Sequence, residues 1–299
     1  MAAIVISLSL LISFSLYEGI SLREKNEVVL ARVQSVNDFV EDIERDLQKG
    51  ITITSIRTLL GIQEYITSEG EYISDTSSIF LEGFLQGTIQ GQSVGLLVNT
   101  TFFDWVEKIQ QEAVRIHVNA TLSVLNITLA QQDPWTVNVT VLVAMNISDE
   151  TNTAYWTKEQ KVSAPISIIG FEDPLYIVGA QGKVTNTIIP TNMSPLVSGS
   201  SVTNLLVHAN NSYYLSSNFS PSYLLRLQGS FNASAFGIES VVNIPELQAN
   251  GIPIQDKSAV DSVYFSLQST TNYRINNTPS WFKIDSERLS LYGVSNLTI

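Results

Sequence analysis

The chain has 299 residues, no cysteine and a formal net charge of -12. The absence of cysteine excludes disulfides, Cys-ligated metals and cysteine nucleophiles. The acidic balance argues against nucleic acid as a partner, because phosphate binding needs clustered Lys and Arg. The length leaves room for two globular units behind an N-terminal segment.

The first element in chain order is an apolar segment that carries no charge before Glu18. It extends over about 20 residues, which is enough to span a bilayer core. It lacks the basic n-region and the small-x-small cleavage site of a signal peptide, so we expect an uncleaved anchor or an already processed end. Its apolar residues are Ile4, Val5, Ile6, Leu8, Leu10, Leu11, Ile12, Phe14 and Leu16.

An apolar stripe continues out of this segment in alternating steps of four and three residues, with Asn26 in the one polar slot. Its members are Leu22, Val29, Val33, Val36, Val40, Ile43 and Leu47. Lys49 followed by Gly50 is a typical helix stop, a cation near the negative end of the dipole and then a residue that tolerates positive φ. The pattern predicts one helix over residues 1–49, apolar first and amphipathic afterwards.

This layout resembles the type IV pilin family and its archaeal relatives. In that family the hydrophobic helix lies first in the membrane and then packs with copies of itself in a filament core, while its amphipathic half docks on a globular head. The resemblance implies that residues 1 to about 22 form a filament core and that the chain's partner is itself. Two features differ from the bacterial pattern: no leader is visible, and position 5 is not the Glu of bacterial pilins, which archaeal pilins commonly lack. Glu18 is a costly charge in lipid unless it is paired or near the interface.

Residues 50–190 are predicted to form a helical shoulder and a first β unit. Helices are expected at 51–66, 77–89 and 99–115, the last with a capping box of Thr101 and Asp104. From residue 116 the period changes to two, which predicts a one-sided antiparallel sheet. Its strands are expected at 116–124, 137–145 and 154–169, followed by short strands at 176–178 and 184–189.

Residues 191–201 carry two prolines and small polar residues, which predicts a linker. Residues 202–299 then form a second, mainly β unit, with strands at 204–208, 263–267 and 272–275. A short helix is expected between a Ser220-Pro221 start and Gly229. The predicted fold is therefore α+β: a long N-terminal helix, a helical shoulder and two mainly antiparallel β units.

Several stretches are similar to an uncharacterised family of archaeal surface proteins carried by small-genome lineages. They are residues 167–176, 223–229, 236–240, 256–261 and 279–282, and with the helix the resemblance covers most of the chain. It implies a location at the cell surface and no catalytic residue.

Sequons of the form Asn-x-Ser/Thr are unusually frequent. They occupy 11 of 21 asparagines, where chance would give about four. We predict that several carry N-linked glycans; the alternative is a Ser/Thr-rich β protein with accidental matches. The sequons are at Asn99, Asn119, Asn126, Asn138, Asn146, Asn192, Asn210, Asn218, Asn232, Asn276 and Asn296.

The titratable residues do not form a recognisable catalytic motif. No HExxH, phosphate loop or GxSxG elbow is present, so no cofactor is expected and the chain is not predicted to be an enzyme. His117 and His208 are interpreted as strand residues. Asp149 and Glu150, with Asn152, could bind Ca²⁺, but solvated loop acids are the favoured interpretation for these and for Glu239, Glu246, Asp256 and Asp261. Ser258 and Lys257 are interpreted as a turn pair.

The sequence therefore predicts a structural subunit of an extracellular, glycosylated pilin-like filament. The alternative is a surface adhesion or binding protein that uses the same helix as a single-pass membrane anchor and never polymerises. A secreted hydrolase is the third hypothesis.

Overall fold

The computed structural model describes the backbone of residues 2–150 and 154–299, and the side chains of those residues from Asn26 onward. It is a mixed α+β fold with a long N-terminal helix and antiparallel sheets, as predicted. The helical part contains α1 (Ala2–Glu69), α2 (Thr76–Gln86) and α3 (Phe102–Arg115). A small hairpin, β1 (Thr88–Ile89) with β2 (Gln92–Ser93), and a 3₁₀ turn (Gly95–Leu97) connect α2 to α3.

The predicted helix stop at Lys49 and Gly50 is wrong, because α1 continues through residues 51–66 to Glu69. The reason is tertiary packing. A Cβ on Gly50 would lie 3.0 Å from the Trp105 indole, so this glycine lets α3 approach the helix instead of ending it. Ile51, Leu59 and Ile62 are buried and extend the apolar stripe beyond the glycine. The helix ends before Gly70, whose φ is +70°.

The capping box of α3 is confirmed, since Thr101 Oγ1 accepts from Asp104 N and an Asp104 carboxylate oxygen accepts from Thr101 N. Three strands follow in the order β3-β4-β5, all antiparallel. They are β3 (Val118–Asp133), β4 (Thr136–Asp149) and β5 (Tyr155–Ser167). Every second residue of β4 from Val137 to Ile147 is buried, so the sheet has one core face, as the alternation predicted.

A β-bulge at Leu125 interrupts the regular alternation of β3. Val124 pairs with Val143, whereas Asn126 pairs with Leu142. The extra residue shifts the phase of the strand, so that Asn126 shares the outer face with Asn119 although the two lie an odd number of positions, seven, apart.

The last third contains more helix than predicted. Residues 176–178 and 204–208 were expected as strands but lie in short helices. Of the strand expected at 263–267, the first two residues end a short helix and the rest are irregular, and 184–189 contributes one isolated bridge, at Thr187. Asp173 caps the first of these helices and Pro174 starts it. Runs this short cannot be assigned by periodicity. The elements are α4 (Pro174–Gly179), α5 (Thr203–Asn210), β6 (Tyr214–Ser216), α6 (Tyr223–Leu227), β7 (Ile238–Ser240), α7 (Ile244–Ala249), α8 (Asp261–Tyr264), β8 (Asn272–Arg274) and β9 (Lys283–Asp285).

β8 agrees with the strand predicted at 272–275, and α6 agrees with the predicted short helix, although Ser222 and not Ser220 is its N-cap. The buried apolar residues form two clusters. One joins α1, α2, α3 and the inner face of the sheet, and the other lies within residues 176–294. Tyr176, Ala180 and Val184 precede the predicted linker and belong to the second cluster. The domain boundaries stay a prediction.

Candidate functional site

The candidate functional surface begins where α1 docks on the sheet. Val36, Val40, Ile43 and Leu47 are buried in the first cluster, and α1 packs against β5 and β4. Their spacing places all four on one face of the helix, and the inner face of the sheet offers a matching row of valines. The amphipathic half of α1 is therefore part of the globular core.

Polar contacts fix the register of this docked helix. Glu44 Oε1 accepts from Lys158 Nζ at 2.6 Å, and Gln48 Nε2 donates to Ser163 O at 3.1 Å. We call the packed part of the chain from Val36 onward the head. Near the point where the helix leaves the head, Arg32 Nε donates to Asp149 Oδ1 at 2.6 Å. Polar contacts thus attach the helix to β5 at Glu44 and Gln48, and to the end of β4 at Arg32.

The segment just before this attachment exposes apolar side chains. Val28, Val29 and Leu30 are 69%, 53% and 67% exposed, and Val33 is 36% exposed. Because neighbouring residues on a helix point about 100° apart, three consecutive apolar residues cover several faces at once. A helix that is apolar around its circumference needs an apolar environment.

The predicted stripe is therefore divided by the structure. Val36 to Leu47 dock on the sheet, whereas Val29 lies on the projecting part of the helix and Val33, 36% exposed, lies at the boundary beside Arg32. Leu22 and the nine residues of the predicted filament core, from Ile4 to Leu16, lie outside the residues whose side chains are described. Where side chains are described, no helix is long and apolar enough to cross a membrane.

The outer face of the sheet carries four sequons. Asn119 and Asn126 on β3 and Asn138 and Asn146 on β4 share this face, as the strand register shows. A sequon in a strand places its asparagine and its hydroxyl residue on the same side, since side chains alternate with a period of two. The face is otherwise rich in Ser and Thr, so a polar surface with little charge lies opposite the docked helix.

All eleven sequon asparagines are accessible, Asn138 partly and the other ten fully. Their hydroxyl residues fall into two groups. Thr101, Ser212 and Ser220 are buried, at 7%, 7% and 0% exposure, and the other eight are at least partly accessible. We call the sequons at Asn99, Asn210 and Asn218 closed and the other eight open. Ser220 Oγ, for example, donates to Glu239 Oε2 at 2.6 Å.

A buried charge network, which the sequence patterns did not predict, lies within the last third. Arg226 is fully buried and forms ion pairs with Asp173 and Asp261. Asp261 Oδ2 also accepts from Ser240 N and Ser240 Oγ, both at 3.0 Å. Burial raises the pKa of Asp173, and repulsion from Asp261 acts in the same direction while Arg226 opposes both. A signal existed: an arginine among apolar residues in Tyr223–Leu227.

A second guanidinium extends the network. Arg288 donates to Glu239 Oε2 at 2.9 Å and to Asp285 Oδ1 at 3.0 Å. It also donates to Ser220 Oγ at 3.1 Å and Ser262 Oγ at 3.3 Å. Each of the three guanidinium nitrogens therefore donates to at least one partner within the fold, so the arrangement is structural. The interpretation of Glu239 and Asp261 as solvated loop acids is wrong, because both are fully buried.

The remaining candidates have individual structural roles. His117 is not within a strand, since it lies in the turn before β3 with a φ of +57°. Its Nδ1 is 3.2 Å from Glu150 Oε2. His208 lies in α5, buried, with no hydrogen-bond partner on either nitrogen among the described residues. Burial lowers its pKa to about 4, although Asp261 acts in the opposite direction.

The acidic turn at Asp149 is an ion-pair site in this structure, and Asn152 lies outside the described residues. Among the described residues no group of three or more His, Asp or Glu is arranged to hold a metal ion. Glu246 and Asp256 are exposed, as expected of solvated acids, and Asp256 pairs with Lys283. Ser258 is buried and donates to Asp285 Oδ2 at 2.9 Å, so it is not a turn pair with Lys257.

No protein-family model matches the chain, and comparison with curated proteins and with solved structures finds no match. Function is therefore inferred from the residues and geometry of this chain.

Proposed function

We propose that the chain is a structural subunit of an extracellular filament of the type IV pilin kind. Residues 1 to about 22 would form the filament core with copies of the same chain, after a stage in the membrane. The observation that carries the proposal is the exposed apolar set at Val28, Val29 and Leu30, on the helix directly before its docked part.

Two features of the head support the proposal. The docked half of α1 is fixed to the sheet by burial and ion pairs, so a force on the projecting helix is transmitted to a packed core. The sequon-rich outer face of the sheet suits a surface that faces the medium, where N-linked glycans would hydrate it and hinder proteases. In this arrangement the head is displayed at the cell surface and carries out no chemistry.

Electron microscopy of sheared surface material tests the proposal, with the chain identified in fibres by antibody labelling. We expect fibres that contain the wild-type chain. A triple variant, Val28→Gln, Val29→Gln and Leu30→Gln, loses about 1–2 kcal/mol of burial per side chain, so its fibre yield should fall more than tenfold.

The matched control places three glutamines on exposed apolar residues of the head, at Ile189, Ile254 and Leu267, which are 47%, 53% and 102% exposed. This variant should assemble like the wild type. If the wild-type chain is found only in the membrane fraction and never in fibres, the filament proposal is wrong and the single-pass adhesion protein is favoured.

A further inference from the structure

Sequons are distributed unevenly over the chain. The first 98 residues contain none, and neither does α3. The sheet carries four on its outer face, and the last third carries six. The surface built from α1, the turn before α3 and α3 itself is therefore free of sequons, except for Asn99.

A groove lies in this surface between α1 and α3. It has a volume of about 320 Å³, and its walls include Ile53 and Arg57 from α1, Trp105 and Lys108 from α3, and the connecting residue Asn99. Ile53 is 56% exposed. Leu96 and Val98, in the adjoining turn, are 44% and 56% exposed. An apolar rim with cations inside it is suited to a protein partner that brings negative charge.

The cations of the groove are unsatisfied. Among the described residues, the one hydrogen bond of the Arg57 side chain is from Nη1 to Leu96 O, at 3.5 Å. Within the described part of the chain neither Arg57 nor Lys108 forms an ion pair, although acidic residues outnumber basic ones by 28 to 16. The groove is thus a positive site on a negative molecule.

We propose that this groove is a contact between copies of the chain and that it receives the acidic outer side of α1 from a second copy. Asp38 and Glu41 lie on that side; both are exposed, and neither forms an ion pair among the described residues. The inference rests on the proposed function, because filament assembly brings many copies of α1 side by side.

The geometry of parallel helices fits this pairing. Sixteen residues separate Glu41 from Arg57, which is roughly 25 Å along a helix at 1.5 Å per residue. A second copy displaced by that distance along the fibre axis would place its Glu41 level with Arg57 of the first. Opposite charges at this contact would favour one axial displacement over others.

The closed sequon at Asn99 is consistent with an open groove. Its hydroxyl residue, Thr101, donates to Asp104 Oδ2 at 2.6 Å within the capping box of α3. The hydroxyl that glycan transfer to Asn99 needs is therefore already bound within the folded chain. A glycan on Asn99, which lines the groove, would occupy the mouth of the groove. The proposal requires Asn99 to be unmodified in fibres.

Charge exchange in the full-length chain tests the contact. The variant R57E/K108E should lower fibre yield about tenfold, and D38K/E41K should do the same. The four substitutions combined restore opposite charges and should restore fibres. A control variant, K183E/R274E, changes the net charge equally at two other exposed cations without ion pairs and should assemble normally. Thermal unfolding of each monomer checks that the head remains folded.

The outcomes separate the two proposals. If the wild type forms no fibres, both fail. If the wild type and R57E/K108E form fibres equally well, or if the combined variant is not restored, only the groove contact is overturned. A glycan found on Asn99 in isolated fibres overturns it as well.

Discussion

Arg32 on α1 and Asp149 at the end of β4 form an ion pair, with Nε and Oδ1 2.6 Å apart, although the two residues are 117 positions apart in sequence. The Asp149 side chain is only 4% exposed. The same guanidinium donates to His117 O, in the turn before β3. One side chain therefore joins the helix to two strand ends, and it marks the boundary between the docked and the projecting parts of α1.

Arg32→Gln should move this boundary by about one helical turn, toward Val36, because the apolar stripe alone then holds the end of the docked helix. Hydrogen–deuterium exchange of the detergent-solubilised chain would measure it as faster exchange of residues 32–36. Arg45→Gln is the matched control, since Arg45 is 72% exposed and pairs only with its helix neighbour Asp42. Equal exchange in both variants would contradict the assigned role.

Arg226→Met should destabilise the head strongly. It leaves Asp173 and Asp261 buried without a cation, which costs about 3–5 kcal/mol. Urea unfolding of the chain would measure the change. Arg115→Met makes the same substitution at an exposed pair with Glu112 and should cost less than about 1 kcal/mol. A similar small loss for Arg226→Met would mean that the two carboxyls become neutral at little cost.

His208 should make stability depend on pH. Its folded pKa of about 4 lies below the usual value of 6.5, so the unfolded chain binds the proton first as the pH falls. The contribution of neutral His208 to the free energy of unfolding is fully present above the unfolded pKa. It is lost as the pH falls from there to about 4, by on the order of 3 kcal/mol. His208→Phe keeps a ring beside Tyr292 and removes this part of the loss.

Thermal unfolding at pH 7 and pH 5 compares the wild type with His208→Phe. The melting temperature of the variant should fall less between the two values. Parallel decreases would show that other groups, such as the buried carboxylates, account for the pH dependence.

The open and closed sequons should differ in occupancy if glycans are transferred to the folded head. Asn126 and Asn146 should be modified, because their hydroxyl residues lie on the outer sheet face. Asn218 should remain bare, since Ser220 is fully buried. Glycopeptide mass spectrometry of the protein isolated from its native cells measures the occupancy of each site. Equal occupancy of Asn218 and Asn126 would instead mean that transfer precedes folding.

The sequence predicted elements well where one periodicity persisted over many residues. The stripe from Val36 to Leu47 and the alternation from Val137 to Met145 each extend over about ten residues, and both are buried as expected. The end of α1 was not predictable from Lys49 and Gly50, because the packing of Trp105 on the glycine is a contact between distant segments.

Arg226 among apolar residues was a signal of burial, but its partners could not be predicted from the sequence, for a related reason. Charged residues are normally exposed, and nothing local shows that Asp173, Arg226 and Asp261 converge from segments 53 and 35 residues apart. The orientation of Asn126 was not predictable either, because the β-bulge at Leu125, which turns Asn126 to the outer face, breaks the period of two.

The Arg226 network also sets the order in which a nascent head can mature. Asp173 is synthesised before Arg226, but Asp261 follows it by 35 residues. Arg288, the ion-pair partner of Glu239, is synthesised 49 residues after it. Until Asp261 and Arg288 are synthesised, burial of Arg226 and Glu239 would leave these charges without their full set of partners. The final third should therefore stay unfolded and accessible to proteases until then. A chain cut short before residue 288 should therefore be degraded faster than the full-length chain.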